Sequence, residues 1–96
     1  MKQQENKMLV EIFCKFETYA KFIIDYKAQT LDIIQPPDTK IRFINSIFTY
    51  TDGFRFDFKT VSTYLKNRGI NADTKTGVYY NVDSPTAVVI LRSPLF

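Results

Sequence analysis

The sequence predicts one small α+β domain with a long N-terminal helix and a C-terminal β-hairpin. Three observations favour this fold class. Apolar residues recur every three or four positions from Leu9 to Lys27, a capped helix pattern spans residues 57 to 69, and two apolar runs, VYYNV and AVVIL, flank the turn DSPT. The first two patterns are typical of amphipathic helices and the third of a hairpin. A chain of 96 residues has the size of a single domain, residues 1–96.

The composition excludes several classes of function. The chain has one cysteine and no histidine, so it offers neither an intrachain disulfide nor the usual zinc ligands. We therefore expect an intracellular protein, cytoplasmic or nuclear, without a metal or other cofactor. Glu11, Lys15 and Glu17 interrupt the apolar start, which argues against a signal peptide or a membrane span. No catalytic residue set is visible, and we do not expect an enzyme.

The N-terminal helix is predicted over residues of about 8 to 30. Its apolar side would hold Leu9, Ile12, Phe13, Phe16, Ala20, Ile23 and Ile24. Pro36 and Pro37 would end the element, because the residue before a proline avoids the helical conformation. A helix of this length presents more apolar surface than the rest of a small domain can bury, and an uncovered apolar stripe favours association. We therefore predict a homodimer through Phe13, Phe16, Ala20 and Ile23.

The rest of the chain, about residues 38 to 92, is predicted to form the core of the domain. Residues 40 to 50 fit a helix capped by Asp38 or Thr39, with Ile41, Ile44, Ile47 and Phe48 on its apolar side. They also fit a strand, because the segment KIRFINSIFTY is rich in Ile, Phe and Tyr. The helix is preferred and the strand stays open. The alternation in FRFDF then predicts a brief strand before the next helix.

The helix that follows carries the candidate site. Asp57 is its predicted N-cap and Gly69 its C-terminal end. Phe58, Val61 and Leu65 would be buried, while the opposite side presents Lys59, Ser62, Thr63 and Lys66. Lysine and hydroxyl groups suit phosphate oxygens and base edges. Residues 40 to 75 hold seven basic residues against three acidic ones, although a solvated surface would also be polar.

The segments FKTVSTYLKNRGI and KTGVYYNV resemble winged helix-turn-helix domains, in particular those at the C-terminal end of phage and plasmid primase-helicases. The resemblance covers roughly residues 54 to 82. It implies that the helix lies in the major groove of DNA, and that DNA is preferred over RNA as the ligand. It also implies a viral or plasmid protein that acts in the control of replication or transcription. It implies groove contacts by Lys59, Ser62, Thr63 and Lys66, and phosphate contacts by Arg68 and Lys75. The hairpin tip DSPT departs from the family pattern because it has no basic residue.

A second interpretation is a small protein-binding accessory or inhibitor module that occludes the surface of a partner protein. The high aromatic content, 16 % of the residues, favours it. Tyr79 and Tyr80 bear on both interpretations, because they fit strand packing and also fit stacking on bases. The salt dependence of binding distinguishes the two interpretations, since nucleic-acid binding weakens steeply as the salt concentration rises.

Overall fold

The structure is a computed structural model that describes residues 7–38, 49–50, 53–54, 57–71, 76–82 and 86–94. Its elements, in chain order, are β1 (Lys7–Cys14), β2 (Glu17–Asp25), β3 (Thr30–Gln35), β4 (Thr49–Tyr50), β5 (Gly53–Phe54), α1 (Phe58–Asn67), β6 (Gly77–Tyr80) and β7 (Ala87–Arg92). Five strands form an antiparallel sheet in the order β3-β2-β1-β7-β6. β4 and β5 form a separate antiparallel pair.

The predicted N-terminal helix is wrong, because its residues form the antiparallel strands β1, β2 and β3. In β1 the buried side chains of Val10, Ile12 and Cys14 alternate with the partly exposed Glu11 and Phe13. This period of two is that of a strand with one face on the core. The apolar residues of this stretch are so dense that they also satisfy a helical spacing, and pairing between strands selects the strand.

The C-terminal hairpin is confirmed, with β6 and β7 paired antiparallel. β7 also pairs with β1, so that Leu9 lies opposite Arg92 and Cys14 opposite Ala87. The backbone N–H of Lys15 donates to the Thr86 carbonyl oxygen at 3.0 Å. This bond fixes the turn after β1 against the residue that precedes β7.

The helix predicted after Asp57 is confirmed as α1. The Asp57 carboxylate accepts a hydrogen bond from the Thr60 N–H at 2.8 Å and caps the N-terminus. At the other end Gly69 has a φ of 72°, and the N–H of Ile70 donates to the Leu65 carbonyl oxygen at 2.9 Å. With the bond from the Gly69 N–H to the Lys66 carbonyl oxygen, this is a Schellman motif.

α1 packs on one face of the five-stranded sheet, which we call the inner face. Val61, Tyr64 and Leu65 of α1 join a core whose sheet residues are Met8, Val10, Ile12, Cys14, Ala20, Phe22, Ile24, Ala87, Val89 and Leu91. At the N-terminal end of α1 the Phe58 ring meets the Tyr26 ring edge-on, with centroids 5.5 Å apart. The helix thereby covers the central part of the inner face, while Ile33 on the edge strand β3 stays exposed.

The predicted α+β class, with its winged helix-turn-helix fold and its resemblance to primase-helicase domains, is also wrong, because the described residues are mainly β. That motif needs two adjacent helices, and the described residues hold α1 alone beside a sheet of five strands. The predicted helix over residues 40 to 50 lies mostly outside the described residues, which include none of its apolar positions Ile41, Ile44, Ile47 and Phe48. The two of its residues that are described, Thr49 and Tyr50, form β4.

The predicted dimer surface does not exist as one patch. Ala20 is fully buried in the core on the inner face. Phe13 and Ile23 alternate with inner-face residues in β1 and β2 and so lie on the opposite face, while Phe16 protrudes from the turn between these strands. A homodimer through all four residues would require the core to open.

Candidate binding surfaces

The candidate site residues of α1 do not all share one environment. Lys59, Thr63 and Lys66 are exposed on the side of α1 away from the sheet. Ser62 is half-buried, and its hydroxyl donates to the Lys59 carbonyl oxygen at 3.2 Å. Arg68 is exposed just beyond the end of the helix, and Lys75 lies outside the described residues. The structure therefore brings together three of the six residues on one outward surface.

The second surface is the other side of the sheet, which we call the outer face. Cross-strand neighbours share a face, and here Phe13 lies beside Val88, Val88 beside Tyr80, and Val78 beside Ile90. Leu9 of the same face is buried, whereas the part of the face beside β6 is exposed. Tyr80 is 72 % exposed, and Val78 is also exposed. A contiguous apolar patch of this kind marks a binding surface more often than a single exposed apolar residue does.

The turn between β1 and β2 borders this patch and is locally strained. It has only two residues, Lys15 and Phe16, with φ values of 52° and 69°. Two positive φ values suit a hairpin, but Asn and Gly adopt them far more readily than a bulky aromatic. Phe16 is also fully exposed, so its ring contributes nothing to the core. A strained aromatic at an exposed position indicates a role other than stability.

The turn and the outer face together enclose a cleft of about 560 Å³, which we call the aromatic cleft. Its described lining residues are Phe13, Lys15, Phe16, Tyr80, Asn81, Thr86, Val88 and Ile90. Three of them are aromatic, and Lys15 is the one charged residue among them. The aromatic cleft therefore offers ring faces beside a single positive charge, with no acidic group among its described residues.

Glu11, the acidic residue opposite Ile90 on the outer face, is neutralised beside this cleft. Its carboxylate accepts a hydrogen bond from the Arg92 guanidinium and lies 3.7 Å from the Lys21 Nζ. The Glu11 side chain is only 12 % exposed, so it projects little negative field toward a ligand. Two cations around one carboxylate leave this part of the face net positive.

Sequence reasoning identified some of these groups without joining them into one site. Phe13 and Phe16 were assigned to a dimer surface, and Tyr80 to stacking or packing. The alternation of strand β6 separates the two tyrosines, because Tyr79 packs against the core while Tyr80 is exposed. Lys15, Asn81 and Thr86 were missed, since only the pairing of β1 with β7 brings them together.

The described residues contain neither a cluster of metal ligands nor a helix that could cross a membrane. No group of three or more His, Cys, Asp or Glu residues among them could hold a metal ion. No helix in the described ranges is long and apolar enough to cross a membrane. Burial, and secondarily the charge of Asp38, raise the pKa of Tyr19. This tyrosine is therefore held neutral, as expected for a core residue.

No protein-family model, no curated protein and no solved structure matches this chain. Its function is therefore inferred from the chemistry of its own surfaces.

Proposed function

We propose that the protein binds single-stranded nucleic acid in the aromatic cleft on the outer face of its sheet. The observation that supports this proposal is the exposure of Phe16 and Tyr80 around a cleft that contains Lys15 and no described acidic residue. Proteins that bind single strands stack bases on aromatic side chains and attract the backbone with basic groups. A sheet with helices on one side and aromatic residues on the other is one established way to present such rings.

Charge elsewhere on the molecule supports the same ligand. The chain carries a net charge of +3. Lys59 and Lys66 on the outward side of α1 add to the attraction of a polyanion, and they remain candidates for phosphate contacts. Because α1 covers the inner face, these lysines and the aromatic cleft lie on different sides of the sheet. A role in replication or transcription control stays a prediction.

The proposal is tested with fluorescently labelled single-stranded DNA and RNA oligonucleotides, whose binding is followed by fluorescence anisotropy. Phe16→Ala and Tyr80→Ala each remove one ring, and we expect each to weaken binding by about 1–3 kcal/mol, the usual value of one stacked base. Tyr80→Phe retains a ring and should bind almost like the wild type. Ile34→Ala is the matched control, because Ile34 is an exposed apolar residue of strand β3, away from the cleft.

Salt dependence provides the second arm of this test. Binding should weaken as salt rises, with a slope of log affinity against log salt of about −0.7 for each phosphate neutralised on a single strand. Equal binding by Tyr80→Ala and wild type would exclude the cleft as the site. Absence of binding to any single strand at low salt would exclude the function.

A protein partner on the same face is the second candidate. The aliphatic residues Val78, Val88 and Ile90 favour it, since aliphatic side chains stack poorly on bases and pack well in protein interfaces. In this role the protein would occlude a surface of its partner. Its binding would depend little on salt, and Val78→Ala would weaken it as much as Tyr80→Ala. The same variants, measured at two salt concentrations, therefore separate the two candidates.

A further inference from the structure

A second cleft adjoins the aromatic cleft at the edge of the sheet, and we call it the arginine cleft. Its volume is about 410 Å³, and its described lining residues are Arg68, Ile70, Val78, Tyr79, Tyr80, Asn81 and Val82. Tyr80 and Asn81 line both clefts. The two clefts therefore lie next to each other on either side of these residues, between the β1–β2 turn and the end of α1. Two adjacent clefts suit a chain-like ligand better than a compact one.

Arg68 is the one charged residue among the described lining of the arginine cleft. Its guanidinium carbon lies 4.1 Å from the centroid of the Tyr64 ring, and one of its nitrogens donates to the Tyr64 carbonyl oxygen at 3.4 Å. The stacking and the hydrogen bond restrain the guanidinium plane, while the side chain remains exposed. A restrained guanidinium can give a phosphate two parallel hydrogen bonds at a reduced entropic cost.

The backbone around Arg68 is also fixed. Arg68 is the C-cap of α1, and the Schellman motif of Gly69 and Ile70 follows it directly. Ile70 is buried in the core, so the segment cannot swing away from the sheet without exposing apolar surface. Asn81, which also lines the cleft, has a φ of 57° and an exposed side chain, and its amide group is a further hydrogen-bond donor.

We propose that the arginine cleft is a phosphodiester subsite, in which Arg68 and Asn81 bind the phosphate next to the base stacked on Tyr80. This proposal rests on the proposed function. It extends the site from base stacking in the aromatic cleft to backbone recognition in the arginine cleft. It also predicts that the bound strand runs from the aromatic cleft, across Tyr80, to the arginine cleft.

Arg68→Ala, Arg68→Lys and Lys27→Ala are compared by anisotropy titrations of one oligonucleotide over a series of salt concentrations. Arg68→Ala should lower the steepness of the salt dependence by about 0.7, the value for one phosphate contact on a single strand. Arg68→Lys should keep the slope, because it keeps the charge, and bind less tightly, because it loses the paired hydrogen bonds. Lys27→Ala removes the same charge from the exposed β2–β3 turn and should leave the slope unchanged.

The outcomes distinguish this proposal from the proposed function. If Tyr80→Ala weakens binding while Arg68→Ala keeps the wild-type slope, the phosphate subsite is refuted and base stacking stands. If Arg68→Ala and Lys27→Ala reduce the slope equally, the effect is one of net charge, and the subsite is again refuted. If the wild type binds no single strand, the proposed function fails, and the subsite fails with it. Circular dichroism melting of each variant checks that it is folded.

Discussion

Replacing Phe16 by glycine should make the protein more stable and at the same time less able to bind. Phe16 has a φ of 69°, a conformation that costs an L-residue about 1–2 kcal/mol. Glycine adopts it freely but loses about 0.5–1 kcal/mol more conformational entropy on folding. Because the ring is fully exposed, its removal sacrifices no burial. The difference predicts a gain of about 0.5–1 kcal/mol in the free energy of unfolding for Phe16→Gly.

This gain is large enough to measure by thermal unfolding. For a domain of this size, 1 kcal/mol shifts the melting temperature by about 4–8 °C, so Phe16→Gly should melt roughly 2–8 °C above the wild type. Phe16→Ala is the control, because it removes the ring and keeps a Cβ in the strained conformation. Its stability should stay within about 0.5 kcal/mol of the wild type. Both variants should lose the affinity that one stacked base contributes.

The reasoning is refuted if Phe16→Gly melts below Phe16→Ala. That order would mean that the positive φ of residue 16 does not strain the turn. If Phe16→Gly is more stable and also binds as tightly as the wild type, the strain is real and the ring has no part in binding. A gain in stability with a loss of binding is the result expected for a residue retained for function.

Three further predictions concern other parts of the fold. Asp57→Ala removes the N-cap of α1 and should lower the free energy of unfolding by about 1 kcal/mol, measured by urea denaturation. Glu11→Gln removes a carboxylate that accepts a hydrogen bond from Arg92. It should lower the free energy of unfolding by at most about 1 kcal/mol, since the Arg92 side chain is largely exposed. It should also tighten oligonucleotide binding at low salt but not at high salt. Burial, and then the charge of Asp38, raise the pKa of Tyr19 above the ordinary value of 10.0 for a tyrosine. The folded state thus holds this phenol proton more tightly, so the wild type should lose stability as the pH rises through that raised pKa, and Tyr19→Phe should lack this part of the loss.

The C-terminal half of the fold was predictable because its signals are local. Asp57, Gly69 and the apolar spacing of α1 together specify one helix, and each signal acts within a few residues. The β6–β7 hairpin is equally local, since its two apolar runs flank the short sequence DSPT, which predicts a turn. In both cases the side chains that determine the structure are close in sequence to the backbone that they fix.

The prediction for the N-terminal half failed because the two turns in this half have no glycine, proline or Asn-Gly pair. Lys15 and Phe16 form the first turn with positive φ, which nothing in their chemistry favours. The second turn is held by the Asp25 carboxylate, which accepts hydrogen bonds from the N–H groups of Lys27 and Ala28 at 3.0 Å each. Without visible turns, the stretch was interpreted as one continuous helix. The strained turn escaped prediction and also borders the candidate site.

The pairing of β1 with β7 has a consequence for how this chain folds. These strands are neighbours in the middle of the sheet, and the Glu11–Arg92 contact joins residues 81 positions apart. Contacts at this separation require closure of a long loop before they contribute free energy, which slows folding. During synthesis β1 and β2 emerge before β7, and one flank of β1 lacks its partner until residues near Arg92 leave the ribosome. The nascent chain therefore exposes an unpaired apolar strand between the synthesis of β1 and that of β7, so chaperone capture at this stage should depend on β1.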